Sequence, residues 1–529
     1  MEGSTEFLMA MYREGVRFWI NNDRLHYRAP RGALTPSQIA MITSLKEEII
    51  EVLQEEQDLS EIPLPIGRRL TSDPVPLTFA QEGCWKWKKK LPSLNFLMPY
   101  SFRIFGALNV EALQASLSEV VRRHESLRTR FVVIDGVPTQ RIDEPVGFEM
   151  AFVDLSIEAA STELSNKTQN AIEQFFKQPM DLEVGPLFAV MLLRVADKEH
   201  VLAVAIDHTV SDVMSIRIVI REIWTLYRDF VKGQPLSLPE VSLQYADIAI
   251  WQRHAGRNWL EKNAGDIKRR LDGASRIQWP VEDGVQGLPP DFSWILFHFD
   301  KSISSGLHDV ARNKKTLPAL VVLALLSAVV AVWCNQRDFV LPFTVSGRYG
   351  SDMETVTGFL ADSLLLRIEL KGSESLSDLL NVVTKEFLGA WERPDFGRCF
   401  EEMAHLLGGT GMNWLPSGSN EYTGEPTPSD WSESDMNLRI EEFDFKINPL
   451  ENMRFEGEND TYRGISLMFR DTKEGIGAAG LYRVDLVSAD AAARFARDLV
   501  LVSEQFVRDP SVHFAAFREH CISDPPSLK

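Results

Sequence analysis

The sequence predicts a mixed α/β (α+β) protein, with a small helix/β-hairpin/helix unit ahead of a long region where strand-like and helix-like segments alternate. Three observations carry this reading. The 529 residues are 44% hydrophobic and 25% charged, with 27 Pro and 32 Gly. That is the composition of ordinary globular domains, and the length accommodates about three or four compact units. Residues 187–195 and 200–207 are apolar runs joined by Ala196-Asp197-Lys198-Glu199, which reads as a buried hairpin, and residues 216–230 then follow a helical period. Near the start, residues 16–20 and 24–28 are short strand-like runs around an Asn21-Asn22-Asp23 turn, a second and smaller hairpin.

The charge excludes some functions. With 56 Lys+Arg against 75 Asp+Glu the net charge is −19. No surplus of cations exists to neutralise phosphates, so a general nucleic-acid binder is excluded and an anionic membrane surface is disfavoured. Cys84, Cys334, Cys399 and Cys521 are far apart and form no C-x-x-C pair. They predict neither zinc binding nor a disulfide framework, and they fit a reducing cytoplasm. The N-terminus has no basic stretch followed by an apolar one, so no secretory signal is expected. The apolar run 317–333 is at the short limit for a membrane span, carries Pro318 and Ser327, and leads directly into a strand-like segment, so it is read as a buried core helix.

Residues 1–58 form the first unit. Ser4 can cap a short helix through Arg13, and the hairpin follows. Thr35-Pro36-Ser37-Gln38 has the form of a capping box with Pro at the first helical position, and Ile39, Ile42, Leu45, Ile49, Val52 and Leu53 supply an apolar face. A second start signal at Ser44 predicts that this helical stretch is broken in two. The unit holds 6 basic and 10 acidic residues, net −4, but the signs are segregated: Arg17, Arg24, Arg28 and Arg31 lie on or beside the hairpin, and most acids lie in the later helix. A two-stranded hairpin has open backbone edges, so it can accept an acidic peptide as an added strand, with arginines gripping the carboxylates. Residues 59–75 have linker composition, a second boundary falls near 254, and residues 408–436 read as a long loop. Gly475-Ile476-Gly477-Ala478-Ala479-Gly480 fits G-x-G-x-x-G literally, but a strand rather than a helix follows it, so it is read as a hairpin turn, with Ser488 capping the later helix toward Arg508.

The strongest chemical candidate is Asp207-His208-Thr209-Val210-Ser211-Asp212-Val213-Met214-Ser215, directly after an apolar strand. A histidine at a strand end is aimed by rigid backbone, and its ordinary pKa lets it accept a proton near neutrality. No G-x-S-x-G nucleophile elbow is present. His124-Glu125 lacks the second histidine of a zinc-protease motif, so zinc is excluded and His124 is read as a packing residue.

These residues carry two resemblances. Gly15 to Ile20 and Asp23 to Pro36 resemble the TubC-type N-terminal docking domain of polyketide and nonribosomal peptide assembly lines. The likeness implies capture, by the hairpin, of the C-terminal tail of an upstream carrier-protein subunit. From residue 76 onward the chain is similar to the condensation-domain family of nonribosomal peptide synthetases. Leu77-Thr78-Phe79-Ala80-Gln81 with Trp85, Arg122 to Phe131, the nine residues around His208, Tyr245 to Arg253 and Gly358 to Arg367 resemble the family's five motifs in order.

The family fold is two chloramphenicol-acetyltransferase-like lobes, here expected at 76–254 and 255–529, meeting at a tunnel with a carrier-protein entrance on each side. By resemblance, His208 deprotonates or positions the attacking group, Asp212 pairs with Arg348 of the other lobe, and Asp207, Ser211, Ser215 and Asp362 support the site. No bound cofactor is expected, because the acyl chain arrives on the phosphopantetheine of a partner carrier protein. The acceptor is a small amine or alcohol, or a second carrier-bound group.

Three departures stand out. Asp207 and Val213 replace the first His and the Gly of H-H-x-x-x-D-G, and Asp362-Ser363 replaces the usual Asn-Thr. If that Gly has positive φ, Val213 is a poor replacement; otherwise the turn is only more tightly packed. Asp207, Asp212 and Ser215 also satisfy D-x-x-x-x-D-x-x-S, the signature of heterocyclisation domains, so cyclisation is a rival activity, and a noncatalytic carrier-docking platform is another. The ending at Lys529 leaves no room for adenylation or carrier domains, so action in trans and chain release are expected.

Overall fold

The computed structural model describes residues 17–21, 24–28, 34, 36–46, 50, 66–69, 74–90, 96–156, 161–254, 256–280, 291–372, 374–399, 401–407, 410–415, 438–442, 464–472 and 475–513. The small hairpin is present as β1 (Arg17–Asn21) and β2 (Arg24–Arg28), antiparallel, and α1 (Pro36–Ser44) ends where the second start signal predicts a break, with a turn at Leu45. Ile42 is buried on α1, but Ile39 is 43% exposed, so the expected apolar face is only partly used. The expected Ser4–Arg13 helix and Arg31 lie outside the described residues.

The expected linker is corrected at its end. Arg69 donates its backbone N–H to Asp247 Oδ1 (3.0 Å) and its guanidinium to Glu125 (2.7 Å). Two residues, Val75–Pro76, then form β3, which pairs with β6 (Val137–Ile142) and through it with β5 (Thr129–Ile134). A segment fixed by a charged clamp and a strand pairing belongs to the folded body that follows it.

After α2 (Phe79–Lys90) comes the first large sheet. Its strands are β4 (Leu97–Gly106), β7 (Ala151–Asp154), β8 (Phe188–Ala196), β9 (Glu199–Asp207) and β14 (Leu438–Glu442), in the order β14-β4-β9-β8-β7. The expected buried hairpin is β8–β9, antiparallel, and it is nearly continuously apolar because both faces are covered. On one face pack α3 (Val110–Arg123) and α5 (Val213–Lys232); on the other lies α4 (Ser161–Phe176), with Ile172 and Phe176 against Met191, Leu193 and Val201. His124 does more than fill space: its Nε2 meets Glu222 Oε2 at 2.9 Å, and Arg123 binds the same carboxylate at 2.8 Å, tying α3 to α5. Burial raises the Glu222 pKa, but the His124 and Arg123 contacts outweigh it and hold the carboxylate at about 2.

α6 (Tyr245–Arg253) and α7 (Arg257–Arg270) lead into the second sheet. It contains β10 (Phe292–His298), β11 (Asp338–Val345), β12 (Asp362–Glu369), β13 (Met412–Leu415), β15 (Ile465–Thr472) and β16 (Gly475–Arg483), in the order β10-β16-β15-β13-β11-β12. Its core packs against α8 (Lys301–Lys314), α9 (Pro318–Trp333), α10 (Leu376–Trp391) and α11 (Ala489–Arg508). Residues 319–333 of α9 are all buried, so the apolar run is a core helix. No single helix among the described residues is long and apolar enough to cross a membrane.

Two further expectations change. Strand β13 lies inside the expected 408–436 loop, and β14 leaves the second half of the chain to form the edge of the first sheet beside β4, Leu438 opposite Gly106. The division at 254/255 is therefore not a clean cut. The glycine-rich segment is also not the turn itself. It is strand β16, between β10 and β15, and a Cβ at Gly480 would sit 2.9 Å from both Ile295 and Ile465 side chains, so close strand packing accounts for the glycine. Ser488 caps α11 as expected, accepting from the Ala491 N–H at 3.0 Å.

Candidate active site

The site begins where β9 ends. Asp207 is the last residue of the strand and caps a single 3₁₀ turn, His208–Val210, by accepting from the Thr209 N–H (2.9 Å) and hydroxyl (2.6 Å). His208 is held at three points. Its backbone N–H donates to the Phe96 carbonyl (2.9 Å), its ring lies 4.3 Å from the Phe359 ring centroid, and its Nδ1 is 2.8 Å from the Ser211 carbonyl oxygen. A carbonyl only accepts, so Nδ1 carries the proton and the neutral ring keeps its lone pair on Nε2. Among the described residues Nε2 has no protein partner. Ser211 thus orients His208 through its main chain; its hydroxyl instead donates to the Asp212 carbonyl at 3.3 Å.

Asp212 caps α5 and is fully engaged. Oδ1 accepts from Ser215 N (2.7 Å) and Oγ (2.8 Å) and from Arg348 (3.1 Å), while Oδ2 accepts from Arg348 (2.9 Å) and from the Leu360 and Ala361 N–H groups (both 3.0 Å). The pair is bidentate and buried, the side chains being 4% and 3% exposed. Arg348 also donates to the Ser346 and Val356 carbonyls, at 3.0 and 2.9 Å. Ser215 Oγ completes the knot by accepting from Gly358 N–H at 2.9 Å. Six donors on one carboxylate tie the residue before α5 to the start of that helix and to the 346–361 segment of the second half. Gly347, at φ +64°, is required there, since a Cβ would fall 1.6 Å from the Leu360 oxygen.

Val213 is the first residue of α5 and is not among the residues with positive φ. Val213 therefore meets no backbone strain at this position, and its side chain packs partly buried against the core of the first sheet. Asp207, the other departure, is wholly buried and meets Lys88 Nζ at 2.8 Å.

Asp362 is not brought to His208. It opens β12, accepts from the Tyr349 hydroxyl (2.7 Å) and the Ser363 N–H (2.8 Å), and lines a cleft of empty volume about 340 Å³ with Arg270, Arg393, Asp395 and Cys399. Burial and then the Asp395 carboxylate push its pKa up to about 7, against the Tyr349 hydrogen bond. The sign follows. A carboxyl whose folded pKa lies above its ordinary 3.8 contributes stability below pH 3.8, and that contribution is lost as pH rises through about 7. Asp362→Asn, which restores the amide usual in the resembling motif, should remove this loss. Melting temperatures compared between pH 5 and pH 8 should fall less for the variant than for the wild type; equal falls would contradict the assignment.

Several site residues carried no signal of their own role. Tyr245 donates to the Phe359 carbonyl at 2.5 Å and meets Thr78 Oγ1 at 2.9 Å, so it fixes the residue whose ring lies against that of His208. Gln81 Nε2 reaches the Thr209 carbonyl at 3.3 Å. Helical spacing places Gln81, Trp85 and Lys88 on one face of α2, and that was the available clue.

Comparison with known proteins decides the family. The condensation-domain model matches residues 71–516, and the TubC N-terminal docking-domain model matches residues 5–55. The chain belongs to the condensation-domain family. A linear gramicidin synthase chain of Brevibacillus parabrevis is 31% identical over 378 residues, which are 69% of this chain and 5% of that protein. The chain thus spans a small part of the curated relatives it matches. Among solved structures, the teicoplanin-biosynthesis X-domain in complex with OxyB is similar at TM-score 0.69 and 20% identity, covering 88% of this chain and 99% of that one. A structure on condensation domain-mediated chain release from the enacyloxin polyketide synthase is similar at TM-score 0.64 and 17% identity, covering 99% and 97%. These likenesses show the fold. In this condensation domain, His208 and Asp212 lie together in the Asp207–Ser215 segment, and Arg348 reaches Asp212 from the second half of the chain.

Proposed function

We propose that the protein transfers an acyl chain from the phosphopantetheine thioester of a carrier protein to an amine or hydroxyl acceptor. An amide or ester forms, the C–S bond breaks, and the carrier thiol leaves. His208 Nε2 takes the proton of the attacking group and returns it to the departing sulfur. The observation that carries this reading is the Nδ1 contact with the Ser211 carbonyl, which leaves a free lone pair at the other nitrogen. The Asp212–Arg348 pair is the scaffold that sets the turn bearing His208 against the segment bearing Phe359.

Heterocyclisation is less well supported: both aspartates of its signature are committed, Asp207 to Lys88 and Asp212 to Arg348, so neither is free to work on a substrate. Chain release is the favoured outcome, supported by the likeness to the enacyloxin structure over 99% of this chain. A carrier-docking platform is the second reading, favoured by the likeness to an X-domain solved in complex with a partner protein. An acyl-loaded carrier incubated with the protein and a panel of amines and alcohols distinguishes them. Transfer yields a new amide or ester; a platform gives binding alone.

The partner is proposed to be an upstream carrier-protein subunit whose acidic C-terminal tail adds to the β1–β2 hairpin. In the observed register Arg17 is opposite Arg28, and Arg24 is opposite Asn21. Charge reversal at Arg17, Arg24 or Arg28 should weaken binding of a tail-bearing carrier about tenfold or more at low salt, with the difference shrinking as salt is added. Calorimetric titration checks this, and unchanged binding would contradict it.

A further inference from the structure

From the surroundings of Asp207 we infer that Lys88 is a positioning residue for His208, acting through the buried Asp207 carboxylate. The inference rests on the reading of His208 as the base. Helix α2 lies along the 3₁₀ turn and grips it twice from one face. Gln81, near its start, donates to the Thr209 carbonyl at 3.3 Å, and Lys88, two turns later, reaches Asp207 Oδ2 at 2.8 Å and the Met180 carbonyl at 3.2 Å. Asp207 Oδ1 takes the Thr209 N–H and hydroxyl, so the one carboxylate joins α2 to the residue after His208.

The pair also sets the charge next to the base. The Asp207 side chain is wholly buried and that of Lys88 is 13% exposed, so solvent screens neither well. A buried carboxylate without its cation one residue from His208 would place an uncompensated negative charge next to the ring, and the Lys88 ammonium cancels it. Among the described residues, the other ionisable groups around this region are Cys84 on α2, Asp212 at the start of α5, Arg348 in the 346–361 segment and Tyr245 on α6. Asp212 and Arg348 neutralise one another, and burial pushes the Cys84 thiol up to about 12 and Tyr245 higher still, so both stay neutral. Lys88 and Asp207 are then the pair whose separation changes the field at His208.

The test follows the His208 ring by NMR in full-length protein with labelled histidine, its resonance identified by comparison with His208→Gln. Lys88→Met should raise the His208 pKa by about half a unit to one unit, and Asp207→Asn should lower it. Lys88→Met combined with Asp207→Asn should return it to the wild-type value, and Lys88→Arg should leave it unchanged. Should Lys88→Met fail to give a cooperative melt, Asp207→Asn and the double variant carry the test. Identical His208 pKa values in wild type, Asp207→Asn and whichever Lys88→Met protein folds would overturn the inference. This readout needs no acyl transfer. A shifted pKa in a protein that never transfers acyl groups sinks the catalytic reading alone; transfer with an unshifted pKa sinks the Lys88 assignment alone.

Discussion

Asp212→Ala is expected to destabilise the protein by about 3–5 kcal/mol, because it leaves the Arg348 guanidinium buried without its partner. The loss is wider than one ion pair. The same carboxylate caps α5 at the Ser215 N–H and holds the Leu360 and Ala361 N–H groups, so its removal strands three main-chain donors besides the arginine. Arg348→Ala should cost a similar amount for the reciprocal reason. Since each single variant already breaks the pair, the double variant should cost much less than the two singles added together. Urea unfolding of the three variants measures this. Additive costs would show that the pair does not act as one unit. Acyl transfer should fall in all three, as the segment carrying Phe359 loses its anchor to the turn carrying His208.

The second large effect is on rate alone. His208→Ala should lower the rate of acyl transfer by about 10² to 10⁴-fold, the range of a positioned general base. Its melting temperature should stay near that of the wild type, because the ring is only partly buried and its one polar contact among the described residues is to a main-chain carbonyl. The pH profile of kcat/KM in the wild type should have an acid limb from the protonation of Nε2, and that limb should be missing from the residual activity of the variant. A variant that keeps full rate, or keeps the acid limb, would remove His208 from the chemistry.

The sequence is informative where a local rule and the fold agree. The β8–β9 hairpin, the start of α11 at Ser488 and the burial of α9 all follow from periodicity, turn residues and caps, which act over a few residues. The position of His208 at a strand end is legible for the same reason. What stays hidden is long-range. Lys88 is one of three consecutive lysines, and only the approach of α2 to a turn 119 residues later distinguishes it from Lys89, which pairs with Glu183. Tyr245 lies within a recognisable motif, yet its hydroxyl acts on Phe359, 114 residues away. Strand β14 reads as part of the second half because nothing in five residues states which sheet edge they will join. The motif groups Asp362 with the site, whereas the fold turns it toward Tyr349 and Asp395.

The most direct test of the central claim is intact-protein mass spectrometry of an acyl-loaded carrier protein incubated with this condensation domain and a panel of amines and hydroxy compounds, with His208→Ala alongside. Carriers with and without the acidic tail of the upstream partner are compared, and carrier-bound acceptors are included. The account predicts loss of the acyl mass with at least one acceptor, appearance of the matching amide or ester, faster reaction with the tail present, and near-absence of both changes with His208→Ala. Tail-dependent binding with the acyl mass intact across every acceptor, or equal transfer by His208→Ala, would contradict it.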